Sequence, residues 1–402
     1  MNIETKKQAL KNELSATNGL LRLVPTWVPR AFLVPGGRLK LHPEDLYALG
    51  ANRGGIDERW LASTTHAENG PDTPADEGLS YVVLGHGGQM VKMQLKEVFS
   101  LLGSEILGEA VMKKHGGWKV LCKFFDNQGP IPHHMHQMEK HAANVGKSGK
   151  PEAYYFPPQL NMKSNNFPYT FFGFEPGTTK EQVKQCLKDW NKGDNGILYL
   201  SKAYKLKPGT GWRVPAGVLH APGSLVTYEP QRPYDIYGMF QSMVEDRYVP
   251  WDLLVKDVPE DKKQDLDYII GMLDWDENVD PEFGRNHFVE PVPVRDETGM
   301  KASGYLEKWI VYGSDDYSST ELTVYPGCKV VLKDAEAYGF IVLEGCGAVN
   351  GNRIETPAVI RFGELTQDEY FVSRAAAIAG VTIENTSETG NLVLIKHFGP
   401  KV

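Results

Sequence analysis

Cysteine is scarce in this chain. There are four in 402 residues, Cys122, Cys186, Cys328 and Cys346, widely spaced and without a CxxC pair. That scarcity favours a reduced, cytoplasmic setting. No run of about 18 apolar residues occurs, so a membrane-spanning helix is not expected. The segment Met1–Leu14 is rich in Lys, Glu and Asn and lacks the apolar core of a secretory signal. Basic charge is not in excess either. The 43 Lys and Arg stand against 51 Asp and Glu, for a net charge of -8. Nucleic-acid binding needs a basic footprint, and this balance disfavours it.

What is present is ordinary globular bulk. Hydrophobic residues make up 41% and charged residues 23%, which argues against disorder. A chain of 402 residues exceeds one compact core, so two or three domains are expected. Gly (41) and Pro (26) punctuate many short apolar runs. Leu79–Leu84, Lys119–Phe125, Ala153–Phe156, Gly196–Leu200, Leu225–Glu229, Gly339–Glu344 and Leu392–Lys396 read as strands of a mostly β protein. Helical spacing is confined to Thr178–Trp190, Pro259–Leu273 and Leu95–Leu107. The Pro- and acid-rich stretch Asn278–Thr298 reads as a connection between two domains.

Histidine is concentrated. Four of the 11, His133, His134, His136 and His141, fall within nine residues. In a strand, residues two apart share a face. His134 and His136 are therefore expected to point together, and His133 away from them. The H-x-H spacing presents two imidazoles to one metal ion. Glu152 heads the aromatic run Ala153–Phe156 just after a turn, and a carboxylate at a buried position needs a partner or a metal. Downstream, Pro215 and Gly217 make a tight turn that sets His220 at the start of the next strand.

The H-x-H and P-x-G-x-x-H halves resemble the paired motifs of the cupin superfamily. That resemblance implies two cupin-type β-barrels of jelly-roll form, with helical insertions in or after the first. Residues 1–290 would form a catalytic unit and residues 300–402 a metal-free barrel that covers one face of it or mediates association. Three imidazoles and one carboxylate suit Zn2+, with Mn2+, Fe2+, Co2+ and Ni2+ as alternatives.

A narrower resemblance follows from the order of motifs. Cys122-Lys-Phe-Phe-Asp126, His134-Met-His136, Gly149-Lys-Pro-Glu152 and Pro215-Ala-Gly-Val-Leu-His220 look like a type I phosphomannose isomerase. Gly36-Gly37-Arg38-Leu39, Asp57-Glu58-Arg59-Trp60 and Asp246-Arg247-Tyr-Val-Pro-Trp251 add to the likeness, which spans about residues 30–255. The resemblance implies a metal-dependent aldose–ketose isomerase acting on a hexose or hexose 6-phosphate. The metal ligands would be His134, His136, Glu152 and His220. The family carries glutamine where this chain has His134. Lys150 and Arg247 would be catalytic, the first as proton carrier and the second steadying negative charge. Lys123, Glu139 and His141 would stand around the ligands. The implied partner is a small sugar or sugar phosphate, with no nucleic acid or membrane, and an oligomer is compatible with it. A cupin oxygenase or lyase acting on a carbohydrate, or a non-catalytic sugar-binding cupin, remains open.

Overall fold

The computed structural model describes residues 2–31, 33–85, 90–162 and 167–402. The chain is mostly β and its sheets are antiparallel. Among the described residues no helix is long and apolar enough to cross a membrane.

The sheets stack in layers. A seven-stranded sheet runs in the order Phe288–Val289, Gly211–Val214, Glu152–Tyr155, Thr227–Gln231, Leu121–Phe125, Gly55–Leu61 and Thr26–Arg30. A five-stranded sheet, Ser201–Lys205, Tyr169–Phe174, His220–Ala221, His134–Met135 and Gly238–Met239, faces it. Phe125, Tyr154 and Trp212 of the first pack with Phe172 of the second. Behind lies another seven-stranded sheet, which includes Ser318–Val324, Tyr338–Glu344, Glu369–Val372 and Leu392–Phe398. A four-stranded sheet covers its far side, with Val330, Val349 and Ile383 packed on Leu322, Phe340 and Leu394. Among the described residues each sheet is open, so the expected barrels take the form of two facing sheet pairs.

Strand periodicity decides what each layer sees. In Leu121–Phe125 every residue is buried. Cys122 and Phe124 join Tyr155 and Tyr228 against Ile310, Ile341 and Phe371 of the rear sheet. Lys123 and Phe125 point the other way, into the space between the front sheets. Period-two alternation thus gives one sheet an apolar back and a charged front. The rear sheet is not built from the end of the chain alone. Leu20–Arg22 pairs with Glu369–Val372 and forms its edge.

Local signals are realised with adjustments. Thr179 caps helix Lys180–Lys188 through a reciprocal box with Gln182. Leu95–Ile106 is helical. The expected helix Pro259–Leu273 is broken into Glu260–Lys262 and Leu266–Gly271, the latter capped by Asp265. The expected strand Gly196–Leu200 is wrong. Gly196 sits at φ +75 and donates its N–H to Asp194, which turns the chain into a short 3-10 helix. The strand Ser201–Lys205 follows it. The segment Asn278–Thr298 does connect the two sheet pairs. Phe288–Val289 pairs forward with Gly211–Val214, and Val292–Pro293 pairs with Tyr305–Val311.

His397 lies at the centre of the rear sheet, fully buried, with neither ring nitrogen hydrogen-bonded. Burial pushes its pKa from 6.5 down to about 3. The folded protein keeps this ring neutral, whereas the unfolded chain protonates it below about pH 6.5. Stability is therefore complete above that pH and is lost as the pH falls toward 3, by about 1.4 kcal/mol per unit from this group. A His397→Asn variant is expected to lose about 2 kcal/mol less than the parent between pH 6.5 and 5. Urea denaturation at the two pH values measures it.

Candidate metal centre

The front pair of sheets brings three distant histidines to one point. His134 and His220 stand directly opposite each other on adjacent strands, and their rings lie 4.2 Å apart. Two turn bonds set that register. Val218 donates its N–H to Pro215 O, and Gly217, at φ +86, donates its N–H to His136 O at 2.7 Å. Only glycine adopts that φ without strain. Asn278 locks the same turn from outside. Its amide donates to Gly217 O at 2.8 Å and accepts from Leu219 N–H at 2.8 Å.

Each of the three imidazoles is oriented by a backbone carbonyl. His134 Nδ1 meets Pro132 O at 2.9 Å, His136 Nδ1 meets Ile236 O at 2.6 Å and His220 Nδ1 meets Val218 O at 2.9 Å. A carbonyl accepts only, so each Nδ1 carries a proton and each Nε2 is the nitrogen left to face a metal ion. One nitrogen from each ring lies within 4.8 Å of the others. Burial holds His134 well below its usual range, with the His220 and His136 rings beside it adding to the effect, and holds His136 at about 4, with the Lys150 ammonium adding to it. Neutral rings with converging lone pairs repel one another unless a cation sits among them.

Glu152 completes the group from the neighbouring sheet. Oε2 lies 2.9 Å from His136 Nε2, and Oε1 lies 3.2 Å from His220 Nε2. It touches two of the three rings. Glu152 Oε2 and His220 Nε2 are buried, and neither has a hydrogen-bond partner among the described residues. Burial alone would raise the Glu152 carboxyl, but the His136 ring and the Lys150 ammonium hold it well below the usual range. The donor set fits a borderline divalent ion. Tyr154 fixes the carboxylate by donating its OH to Oε1 at 2.6 Å. A Tyr154→Phe variant is expected to bind zinc about tenfold more weakly, read by competition with a chromogenic chelator.

The cluster opens on a small cavity of about 50 Å3. Lys150, 4% exposed, stands at its wall, 3.0 Å from His136 Nε2 and 3.1 Å from Glu152 Oε2. Lys123 is also in the wall, paired with Glu58 at 3.0 Å and Glu229 at 3.4 Å. Glu139 stays outside the cavity. It accepts from Gly149 N–H and Arg232, both at 2.9 Å, and so braces the turn that leads into Lys150. His141 is half-buried beside Tyr268 and does not line the cavity. His133 is buried against Phe171, outside the ligand group.

Arg247 is not among the residues that line the metal cavity. Glu245 and Asp246 both adopt positive φ, and the tight turn they make brings Arg247 to Glu245 at 2.9 Å. Its side chain lines a neighbouring cavity instead of the metal cavity. The buried arginine of the metal cavity is Arg30, held by Glu58 and Asp235 at 3.1 Å each. Arg30, Glu58, Glu229 and Asp235 were not expected from sequence as site residues. Arg30 alone carries a signal, a charge closing the otherwise uncharged run Leu23–Pro29.

The architecture is thus a layered antiparallel frame with a buried cluster of converging imidazoles. No family model matches the sequence, and no curated protein matches it either. Solved structures do match the fold. The mannose 6-phosphate isomerase of Bacillus subtilis is 16% identical, covers 94% of this chain and 99% of its own, and superposes with a TM-score of 0.59. A single-residue mutant of phosphomannose isomerase from Salmonella typhimurium is 12% identical, with 95% and 100% coverage and a TM-score of 0.61. A zinc-bound mannose 6-phosphate isomerase is 13% identical, with 96% and 100% coverage and a TM-score of 0.61. At these identities the likeness establishes a shared fold.

Proposed function

We propose that this chain is a divalent-metal-dependent aldose–ketose isomerase acting on a hexose or hexose 6-phosphate. The observation that carries the reading is the set of three imidazole lone pairs converging beside a buried, ionised Glu152. The solved structures it resembles are named as mannose 6-phosphate isomerases, one of them zinc-bound, and they support the same reading. His134, His136, Glu152 and His220 would hold one ion, with zinc favoured. When bound, the ion supplies Lewis-acid polarisation of a sugar oxygen. In this reading residues 1–290 form the catalytic unit, and residues 300–402 back it without a metal.

The chain's own residues would do the rest. Isomerisation moves a proton between C1 and C2 of the open sugar through an enediol. Lys150 is the buried amine beside the ligands and is assigned the proton. Glu229, 3.8 Å from Lys150, has its carboxyl pKa raised by burial and by the Glu152 charge, so it can share that proton. Arg30 and Lys123 keep Glu58 and Glu229 in place and exclude bulk water from the wall.

The test is hydrogen exchange. Zinc-loaded protein is incubated in deuterated water with mannose, fructose and mannose 6-phosphate, and the products are followed by NMR. Exchange at C1 or C2 without oxygen consumption is expected. Lys150→Met is expected to slow that exchange about a hundredfold. No exchange with any hexose or pentose overturns the isomerase reading.

A further inference from the structure

We infer that Arg232 is a positioning residue for Lys150, and that Asp316, from the rear pair of sheets, holds Arg232 for that task. The assignment deepens the isomerase reading above and rests on it, because there Lys150 carries the proton. Residues 300–402 then do more than back the site. Three backbone groups of the turn Gly149–Lys150 are taken. Gly149 donates its N–H to Glu139 Oε2 at 2.9 Å. The Gly149 carbonyl accepts from Arg232 Nη1 at 3.4 Å. Lys150 donates its N–H to Gln137 O at 3.2 Å, one residue beyond the proposed ligand His136. The last two bonds hold opposite sides of one peptide unit, the unit that leads into Lys150. A peptide unit is planar, so its orientation sets where the Lys150 side chain starts. Gly149 and Lys150 are both buried. A Cβ at Gly149 would lie 2.6 Å from Glu139 N, so the turn is seated closely against that segment.

Arg232 is itself held from two directions. Nη1 donates to Glu139 Oε2 and Nε donates to Asp316 Oδ2, both at 2.9 Å. The guanidinium is a rigid planar fork, so fixing Nε fixes the direction in which Nη1 points. Asp316 lies in the loop between the rear strands Tyr305–Val311 and Ser318–Val324, and donates its N–H to Ser314 Oγ at 3.1 Å. The next residue, Tyr317, is buried in the core that the two sheet pairs share. On the other side, Gln231 immediately precedes Arg232 and pairs with Glu152. Arg232 thus joins the strand beside a proposed ligand to a loop of the rear pair.

The Arg232 and Asp316 side chains are 33% and 30% exposed. Ion pairs this open to water add little to folding stability. What they fix is direction. A reacting group displaced by a fraction of its contact distance loses rate far out of proportion to any loss of stability. Removing Arg232 therefore separates positioning from folding.

The experiment compares zinc-loaded Arg232→Ala and Asp316→Asn with the parent in two measurements. Hydrogen exchange at the Gly149 and Lys150 amides is expected to quicken about tenfold in both variants, while melting temperatures stay close to the parent's. With the sugar that the parent isomerises, kcat is expected to fall about tenfold in Arg232→Ala, with KM and zinc affinity unchanged. In a Lys150→Met background, Arg232→Ala is expected to cost no further rate, because the group it positions is gone. Unchanged amide exchange in the variants overturns the positioning and leaves the isomerase reading standing. An equal loss of rate in the Lys150→Met background also overturns it, because Arg232 would then support the fold in general. If the parent turns over no sugar, the isomerase reading falls and the role of Arg232 falls with it.

Discussion

A His220→Ala variant is expected to lose high-affinity zinc while keeping its fold. His220 contributes one of three Nε2 lone pairs, and the turn Pro215–Gly217, the Val218 carbonyl and the opposing strand all fix its position. Replacing groups that only orient a ligand costs about 10–100-fold in metal affinity. Removing the ligand itself should cost more, about a thousandfold, and activity at fixed zinc should fall with it. Two measurements separate this from simple unfolding. Zinc at about 100 times its Kd should stabilise the parent by about 2.7 kcal/mol through mass action, and the same zinc concentration should barely stabilise the variant. Without metal, the variant should unfold within a few degrees of the metal-free parent. Truncation opens a small cavity, but it also removes one of three lone pairs that repel in the empty cluster. A variant that retained the parent's zinc affinity would remove His220 from the ligand set.

The same geometry shows what period-two reasoning reaches and where it stops. His134 and His136 are legible because an H-x-H pair needs only local strand geometry. His220 is legible because Pro215 and Gly217 mark its turn. Glu152 follows from a carboxylate set at the head of an aromatic buried run, whereas Lys150 comes only from the motif resemblance. Arg30 and Asp235 are different. They meet at 3.1 Å across 205 residues, and no local pattern joins them. Arg247 is a motif residue, and the positive φ of Glu245 and Asp246 sets it beside Glu245 in the adjoining cavity. The layered frame follows from the many short apolar runs, whereas the strand Leu20–Arg22 at the edge of the rear sheet does not. Its partner lies about 350 residues downstream, and three residues carry no readable period. Tyr154 looks from sequence like core packing. It is core, yet its OH reaches Glu152 because residues two apart on the strand share the site-facing side.

The front and rear sheets should come apart energetically when Arg59 is removed. Arg59 leaves the back of the site-bearing sheet and enters the rear one, 4% exposed. It binds Asp368 through two parallel bonds of 2.8 and 2.9 Å and reaches Glu369 at 3.1 Å. Its guanidinium also lies over the Trp27 ring at 5.5 Å. An Arg59→Ala change leaves two carboxylates, 2% and 0% exposed, without their cation. Breaking one partner of such a buried group costs about 3–5 kcal/mol. The melting temperature is expected to fall by about 5–10 °C, given the smaller shift per kcal/mol in large proteins. The pH dependence identifies the cause. Glu369 is already raised to about 7 by burial, despite Arg59 beside it. Without Arg59 the Glu369 carboxyl would hold its proton in the folded state to still higher pH. A folded-state pKa above the unfolded value means that stability falls as pH rises through that window. The deficit of Arg59→Ala relative to the parent should therefore be larger at pH 8 than at pH 5.5. Adding Asp368→Asn and Glu369→Gln to an Arg59→Met background should recover most of the loss, because neutral amides leave no buried charge unpaired. A deficit independent of pH, or one that the neutral triple variant fails to reduce, would assign the effect to lost packing around Trp27 instead of to charge.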